Sequence, residues 1–357
     1  MQQNIGQTSN RGLELNLNAA ILRHKDYSLN FNFNVGINKN KVDKLAGGQT
    51  YQAYSSYAFS TDMRGSDDYR VVVGQPLGLV YGFICDGFYT VDDFQTTTDA
   101  NGKTQFVFDK SGNYILKEGV VDGSYATNGS YAGLRPGAMK LRDIDGDGKI
   151  SADKDRTIIG KTQPKFQGGF GINATYKWFD LTANFNYVVG NDVYNLDKMV
   201  SSQSYRNSYA SLRQEMTPVT LGGKAWTYMD QATGEIITDY ETLKNMNANA
   251  SIWSAATLSD NNPVPTSWAI EDGSFLRLQN LTVGFTFPKM WTKKFACNSL
   301  RLYCTLTNVF CLTSYSGYDP EVNSSIRGSK TSGLTPGADF SSYPKSFSWT
   351  VGANISF

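Results

Sequence analysis

The residues best placed to do chemistry lie in one run, Asp-Ile-Asp-Gly-Asp-Gly-Lys-Ile-Ser at 143–151. Asp143, Asp145 and Asp147 fall on positions 1, 3 and 5 of a twelve-residue calcium loop, Gly148 on position 6, and Lys149 on position 7, where a backbone carbonyl is the ligand. Carboxylates at alternate positions converge on a hard cation when the glycine curls the chain inward. The twelfth position, a bidentate glutamate in sensor loops, is Lys154, with Asp153 and Asp155 on either side. No amphipathic helix precedes the loop. Two readings stand: a structural Ca2+ held by Asp143, Asp145, Asp147, Lys149, Asp153 and Asp155, or aspartates that cap a turn with their own carboxylates. Under either, the loop is a brace and not a switch.

Other reactive side chains are sparse, and the chain is not read as an enzyme. The single histidine, His24, falls in a tight turn between two strands, so a Ser-His-Asp site or a His-ligated metal has nothing to build on. Glu271 and Asp272 offer the two carboxylates of a glycosidase, but adjacent residues at a strand entrance point apart, and they read as a charged loop rim. Cys85, Cys297, Cys304 and Cys311 lack C-x-x-C spacing and suit packed thiols, with Cys304 an outward-facing small hydrophobe. No phosphate-cradling G-x-x-x-x-G-K-[ST] pattern occurs.

Composition narrows the class further. Lys and Arg number 33 against 32 Asp and Glu, a net +1 spread along the chain, so nucleic acid is not an expected partner. Aromatic residues at 13% and 34 glycines favour strands over helices. No apolar run reaches eighteen residues, which excludes a helical membrane span, and the start MQQNIGQTSNRG reads as an internal segment without a signal.

The elements that must position these residues announce themselves by period-two alternation. In YSLNFNFNVGI, Tyr27, Leu29, Phe31, Phe33, Val35 and Ile37 alternate with Ser28, Asn30, Asn32, Asn34 and Gly36, so one face is hydrocarbon and the other hydrated. The pattern recurs at Leu13–Leu17, Phe170–Tyr176, Leu181–Tyr187, Leu281–Phe287, Leu300–Leu306 and Phe347–Phe357, which makes seven strands. A soluble sandwich and a membrane barrel both produce such strands. Connection lengths separate them: short links at 23–26, 177–180 and 288–299 alternate with connections of roughly 130, 85 and 36 residues. That asymmetry is the barrel's, with short periplasmic turns and long external loops. Trp178, Phe179, Trp291 and Phe295 near the short turns fit an interfacial girdle, or equally core aromatics. With Phe357 on the periplasmic side, the external connections are 38–166, 190–274 and 311–346, provided an even number of wall strands hides in the first, where VVVGQPLGLVYGFICDGFY could supply some. A short loop helix is expected within 194–216. The expected fold is therefore all-β, the C-terminal part of an antiparallel transmembrane β-barrel, incomplete because even the smallest such barrel has about eight strands.

Several phrases together resemble the C-terminal barrel region of the SusC/RagA family of TonB-dependent outer-membrane transporters: NRGLELNLNA at 10–19, GQPLGLVYGFICDGFY at 74–89, KLRDIDGDGKISADKDRTIIGKTQPKFQGGFG at 140–171, EDGSFLRLQNLTVGFTFP at 271–288, LYCTLTNVFCLTSYSGYDPEV at 302–322, and the terminal strand. The resemblance covers residues 1–357 and leaves out the family's plug domain, TonB-contacting segment and signal peptide, so the chain reads as a piece of a transporter, a truncated product or a broken gene. It implies a plugged barrel of about 22 strands in the outer membrane of a Gram-negative, Bacteroidota-like cell. It also implies import of glycans or peptides with a SusD-like surface lipoprotein as lid, energised by the TonB complex through the N-terminal part. Rival readings are a non-transporting surface binding protein or adhesin, and a soluble carbohydrate-binding β-sandwich. The inner-face asparagines Asn30, Asn32, Asn34, Asn184 and Asn186 offer donors and acceptors without charge, suited to a plug or to polar solutes.

Overall fold

The computed structural model describes residues 6–55, 67–127, 133–203, 224–230, 232–254, 264–295, 297–321, 332–340 and 342–357. Strands β1 (Gly6–Arg23) and β2 (Tyr27–Leu45) form a long hairpin. The first long connection then carries β3 (Tyr51–Tyr54), β4 (Tyr69–Val72), β5 (Leu79–Phe83), β6 (Cys85–Phe88), β7 (Thr96–Thr98), β8 (Thr104–Phe106), the short helix α1 (Ser124–Thr127), β9 (Met139–Leu141) and β10 (Arg156–Lys161). A second hairpin follows, β11 (Phe166–Tyr176) and β12 (Phe179–Val189). The second connection holds β13 (Asp192–Asn195), α2 (Leu196–Gln203), α3 (Tyr240–Met246) and β14 (Ile270–Asp272). A third hairpin pairs β15 (Phe275–Thr286) with β16 (Ser299–Thr313) around α4 (Lys289–Thr292), and β17 (Ala338–Asp339) precedes the last strand, β18 (Ser348–Ser356).

Seven strands form one antiparallel sheet in the order β1-β2-β11-β12-β15-β16-β18, the seven read from the alternation. Register keeps like with like: Leu15 faces Val35 while Asn16 faces Asn34, and Phe170 lies between Phe33 and Phe185 while Gly171 lies between Asn32 and Asn184. A one-residue slip would turn every apolar side chain to the wet face, so the pattern itself pins the pairing. The alternation breaks at bulges, and those on β15 and β16 alter the reading most. Register shifts beside Gln279 on β15 and Asn308 on β16, the latter at a φ of 53°, insert extra residues in both strands. The apolar face of β15 therefore runs Leu276, Leu278, then Leu281, Val283, Phe285, changing parity without changing sides; a strict period-two reading finds only its later half.

The first connection differs from expectation. No wall strand lies between β2 and β11, which pair directly, and β2 continues to Leu45, so the connection starts later than residue 38. The segment VVVGQPLGLVYGFICDGFY instead feeds a four-stranded sheet, β10-β5-β4-β3, and β6. All five residues of β5 are buried, so that strand is covered on both faces and has no lipid-facing side. The helix expected within 194–216 is α2, preceded by β13; residues 204–216 of that span lie outside the described residues.

Most of the hydrocarbon core sits in the connections, with a smaller share on the sheet at Val42, Leu45, Ala183, Phe275 and Leu278. Every fully buried large side chain among the described residues, including Trp253, Tyr69, Tyr89, Tyr194, Phe83, Phe94, Met139 and Leu243, belongs to them. One cluster gathers Phe83, Met139, Leu141, Ile252 and Trp253; a second Tyr69, Tyr194, Leu196 and Met199; a third Tyr89, Phe94, Phe106, Trp226 and Leu243. The first two long connections thus pack on each other as a folded body at one end of the sheet. At the other end the links are tight: Lys177 and Trp178 alone join β11 to β12, Lys177 adopting a φ of 51°.

Candidate functional site

The acidic loop leaves β9 and returns into β10. Gly146 and Gly148 take φ values of 77° and 85°, which bend the chain back on itself. Asp143, Asp145 and Asp147 come together, with ligand oxygens all within 4.8 Å of one another. Their present bonds are internal. The Asp143 carboxylate accepts the Gly146 and Gly148 amides at 2.7 and 2.8 Å, and Asp147 accepts the Lys149 amide at 3.0 Å. The Lys154 ammonium, at the twelfth position, bridges Asp145 at 2.9 Å and Asp147 at 2.7 Å. It stands where a cation would, and its hydrogen bond, with that of the Lys149 amide, holds the Asp147 carboxyl below its usual range.

Asp155 does not join the cluster. It is fully buried and accepts the amides of Ile144 at 2.8 Å and Ser151 at 2.7 Å, tying the two ends of the loop. Asp153 is exposed and outside the group of three, and the Lys149 charge adds to the positive surroundings of Asp147. Spacing exposed the three aspartates; nothing in spacing marked Lys154 as their counter-ion or Asp155 as the brace.

His24 is an exposed turn residue stacked on Tyr27 at 4.7 Å. Glu271 and Asp272 part as expected for neighbours on a strand: Glu271 pairs with Lys198 at 3.0 Å and accepts Ser316 Oγ at 2.7 Å, whereas Asp272 accepts the Ser274 amide at 2.9 Å. No disulfide joins the four cysteines, and Cys304, between Val283 and Val351, lies on the apolar face.

The sheet's two faces define what the chain can do. On one, Leu13, Leu15, Leu17, Val283, Trp349, Val351 and Ile355 stand unpacked, Leu13 and Trp349 at 68% and 67% exposure. This single layer has no second sheet to bury it among the described residues, and hydrocarbon is the solvent such a face fits. Trp178, Phe179 and Trp291 are exposed around the short-link end, in girdle position; the Phe295 side chain lies outside the described residues.

On the other face, two sets of charges close on each other. Arg301 Nε donates to Asp180 at 2.9 Å and Nη2 closes the fork, reaching from β16 across β15 to β12. The crossing passes over Gly284, where any Cβ would collide with both the carboxylate and the guanidinium. Toward the folded body, Arg277 of β15 binds Asp319 of the third connection through Nη2 at 2.6 Å, both side chains 5% exposed. Arg277 Nε lies 3.2 Å from Glu321, which also meets Lys345. Sequence reasoning missed Arg277 because its odd number is that of Leu281 and Val283 on the apolar face, and only the bulge between them turns it inward. A basic residue inside a strand was the available signal.

Curated proteins matching the chain end to end include a TonB-dependent receptor of Formosa agariphila, 28% identical over 370 residues, which covers 100% of this chain and 31% of the relative. Another is the TonB-dependent receptor SusC of Bacteroides thetaiotaomicron, 25% identical over 364 residues, with 100% and 27% covered. The chain is a relative of the SusC/RagA TonB-dependent receptors. It spans under a third of the length of those receptors. Among solved structures, the RagAB peptide transporter superposes with a TM-score of 0.59 at 20% identity, covering 99% of this chain and 30% of that one, and the same importer in its open-open state gives 0.58. That likeness fixes the fold, an antiparallel sheet like part of that transporter's barrel wall. No family model matches the chain.

Proposed function

We propose that the chain forms barrel wall and external loops of an outer-membrane TonB-dependent importer of polar oligomers, glycans or peptides, in a Gram-negative, Bacteroidota-like cell. The observation that carries this is the two-faced seven-stranded wall crowned by a folded body of long connections, related along its whole length to TonB-dependent receptors. The long connections then face outward, where a SusD-like lipoprotein lid would meet them, and the TonB complex acts through a part of the receptor beyond the region matched here. The unpacked apolar face argues against the soluble sandwich.

The test is genetic and biochemical together. Deleting the gene, or inactivating TonB, is expected to abolish uptake of the oligosaccharide or peptide whose degrading enzymes are encoded alongside, and pull-down from outer membranes is expected to recover a lipoprotein. Uptake that persists in both deletions, with surface binding lost only in the first, would replace the importer by a surface binding protein or adhesin.

We also propose that Ca2+ braces the Asp143–Asp147 loop by displacing Lys154, since both cations need the same carboxylates. Calorimetry is expected to show tighter Ca2+ binding in Lys154→Ala than in the parent protein. Absence of heat from both would leave the loop self-capped.

A further inference from the structure

The third long connection is held against the polar face by one ionic assembly. Arg277 projects from the inner face of β15, between Asn186 and Cys311 on the flanking strands. Asp319 is buried with it and also orders the local backbone, accepting the Glu321 amide at 2.9 Å and the Lys345 amide at 3.3 Å. Removing one member of such a pair strands a buried charge, so this contact resists partial opening. Glu321 is different. It is 29% exposed and offers a single oxygen, Oε2, to both Arg277 and Lys345. The Arg277 Nε–H is buried yet has no aligned hydrogen-bond partner, so the Glu321 half of the assembly is incomplete.

Glu321 also edges a groove of about 490 Å³ whose other walls include Glu14, Asn34, Gln167 and Asn186, inner-face residues of β1, β2, β11 and β12. The segment 319–321 therefore reaches over the polar face of strands that lie two to five places from β16 in the sheet. We propose that Asp319–Pro320–Glu321 is a strap latched to the barrel wall, with Asp319 its fixed anchor on Arg277 and Glu321 its movable leaf. With Glu321 on Arg277 the strap lies in and bounds the groove; with Glu321 on Lys345 the leaf swings out and the groove widens. The assembly stays neutral in both positions, two cations and two carboxylates, so the exchange needs no proton and no ion from outside.

Native Cys311 reports the strap's position. It is half-buried, cross-strand to Arg277, and its charged neighbours are Arg277, Asp319, Glu321 and Lys345. The experiment follows N-ethylmaleimide labelling of Cys311, relative to Cys85 in the first connection, by peptide mass mapping of the full-length protein in isolated outer membranes. Asp319→Asn is expected to raise the ratio by about a hundredfold or more, the size expected when a buried pair loses one charge. Glu321→Gln raises it a few-fold, on the order of an exposed ion pair's worth, and Lys345→Met lowers it, because Glu321 then has only Arg277. Glu321→Gln and Lys345→Met moving the ratio in the same direction, or leaving it unchanged, overturns the latch. Glu321 and Lys345 are part-exposed, so these two variants keep the test available if Asp319→Asn fails to assemble. The readout is labelling and not uptake, so it stands whether or not the importer reading does.

Discussion

Leu17 and Asn16 are neighbours on β1 that point to opposite faces, and replacing each by arginine separates a membrane wall from a soluble sheet. Leu17 lies opposite Phe33, near the middle of the apolar stretch Tyr27–Ile37, and is 49% exposed; Asn16 lies opposite Asn34 and is exposed on the polar face. In water both would be surface substitutions, each within about 0.5 kcal/mol of neutral. Across a bilayer the Leu17→Arg guanidinium sits near the midplane, which costs about 2–4 kcal/mol, whereas Asn16→Arg stays in the wet interior. The folding equilibrium constants should then differ by roughly 30- to 700-fold. The assay is urea unfolding of the receptor assembled in phosphatidylcholine vesicles, followed by fluorescence of tryptophans such as Trp349 on the lipid face. Equal stabilities for the two variants, within about 0.5 kcal/mol, would refute the assignment of that face to lipid.

Trp253 is fully buried among Phe83, Met139 and Leu141 and donates Nε1–H to the Ser202 carbonyl at 2.7 Å. Trp253→Ala should cost about 3–5 kcal/mol, read as faster protease cleavage in the long connections while the wall keeps its heat-modifiable gel mobility. Asp239 caps α3, and its hydrogen bonds from Lys103 and then from Thr242 hold its carboxyl down at about 2, against a usual 3.8. The folded value is the lower one, so this stabilisation is whole above pH 3.8 and fades as pH falls toward 2. Amide exchange across 240–246 should accelerate over that window, and Asp239→Asn should remove the dependence.

How much of this was legible depends on what solvates each part. The wall could be read because its two faces meet different solvents, which stamps a period of two on strands such as Tyr27–Ile37. It failed where the backbone changed step: the bulges at Gln279 and Asn308 shift parity, so Leu276, Leu278 and Arg277 fell out of the pattern. The folded body was invisible for the opposite reason. Leu79–Phe83 is buried on both sides, and its partners Trp253 and Met139 come from distant stretches. The acidic loop was legible as three aspartates at alternate positions, since local spacing decides that convergence. The Arg277–Asp319 contact joins residues 42 apart, and no local rule links them.

The placement of charge on the polar face carries one more consequence. Asp180 and Arg301 close near the short-link end, and Arg277, Asp319, Glu321 and Lys345 close near the folded body, each set neutral in sum. Between them the central strands present Asn184, Asn186, Thr282, Asn280 and Thr305, with Thr282 and Thr305 bonded to each other at 2.9 Å. A lumen lined this way offers hydrogen bonds at every second residue but little net field. Charged solutes gain no steering from the central strands, and whatever packs there must match donors and acceptors, because an unpaired amide or hydroxyl covered by a partner costs about 1–3 kcal/mol. A plug or a neutral oligomer meets that requirement by geometry. The ionic sets at the two ends then serve the wall's own architecture, one crossing three strands over Gly284 and the other fastening a loop to the strand where the bulge brings Arg277 inward.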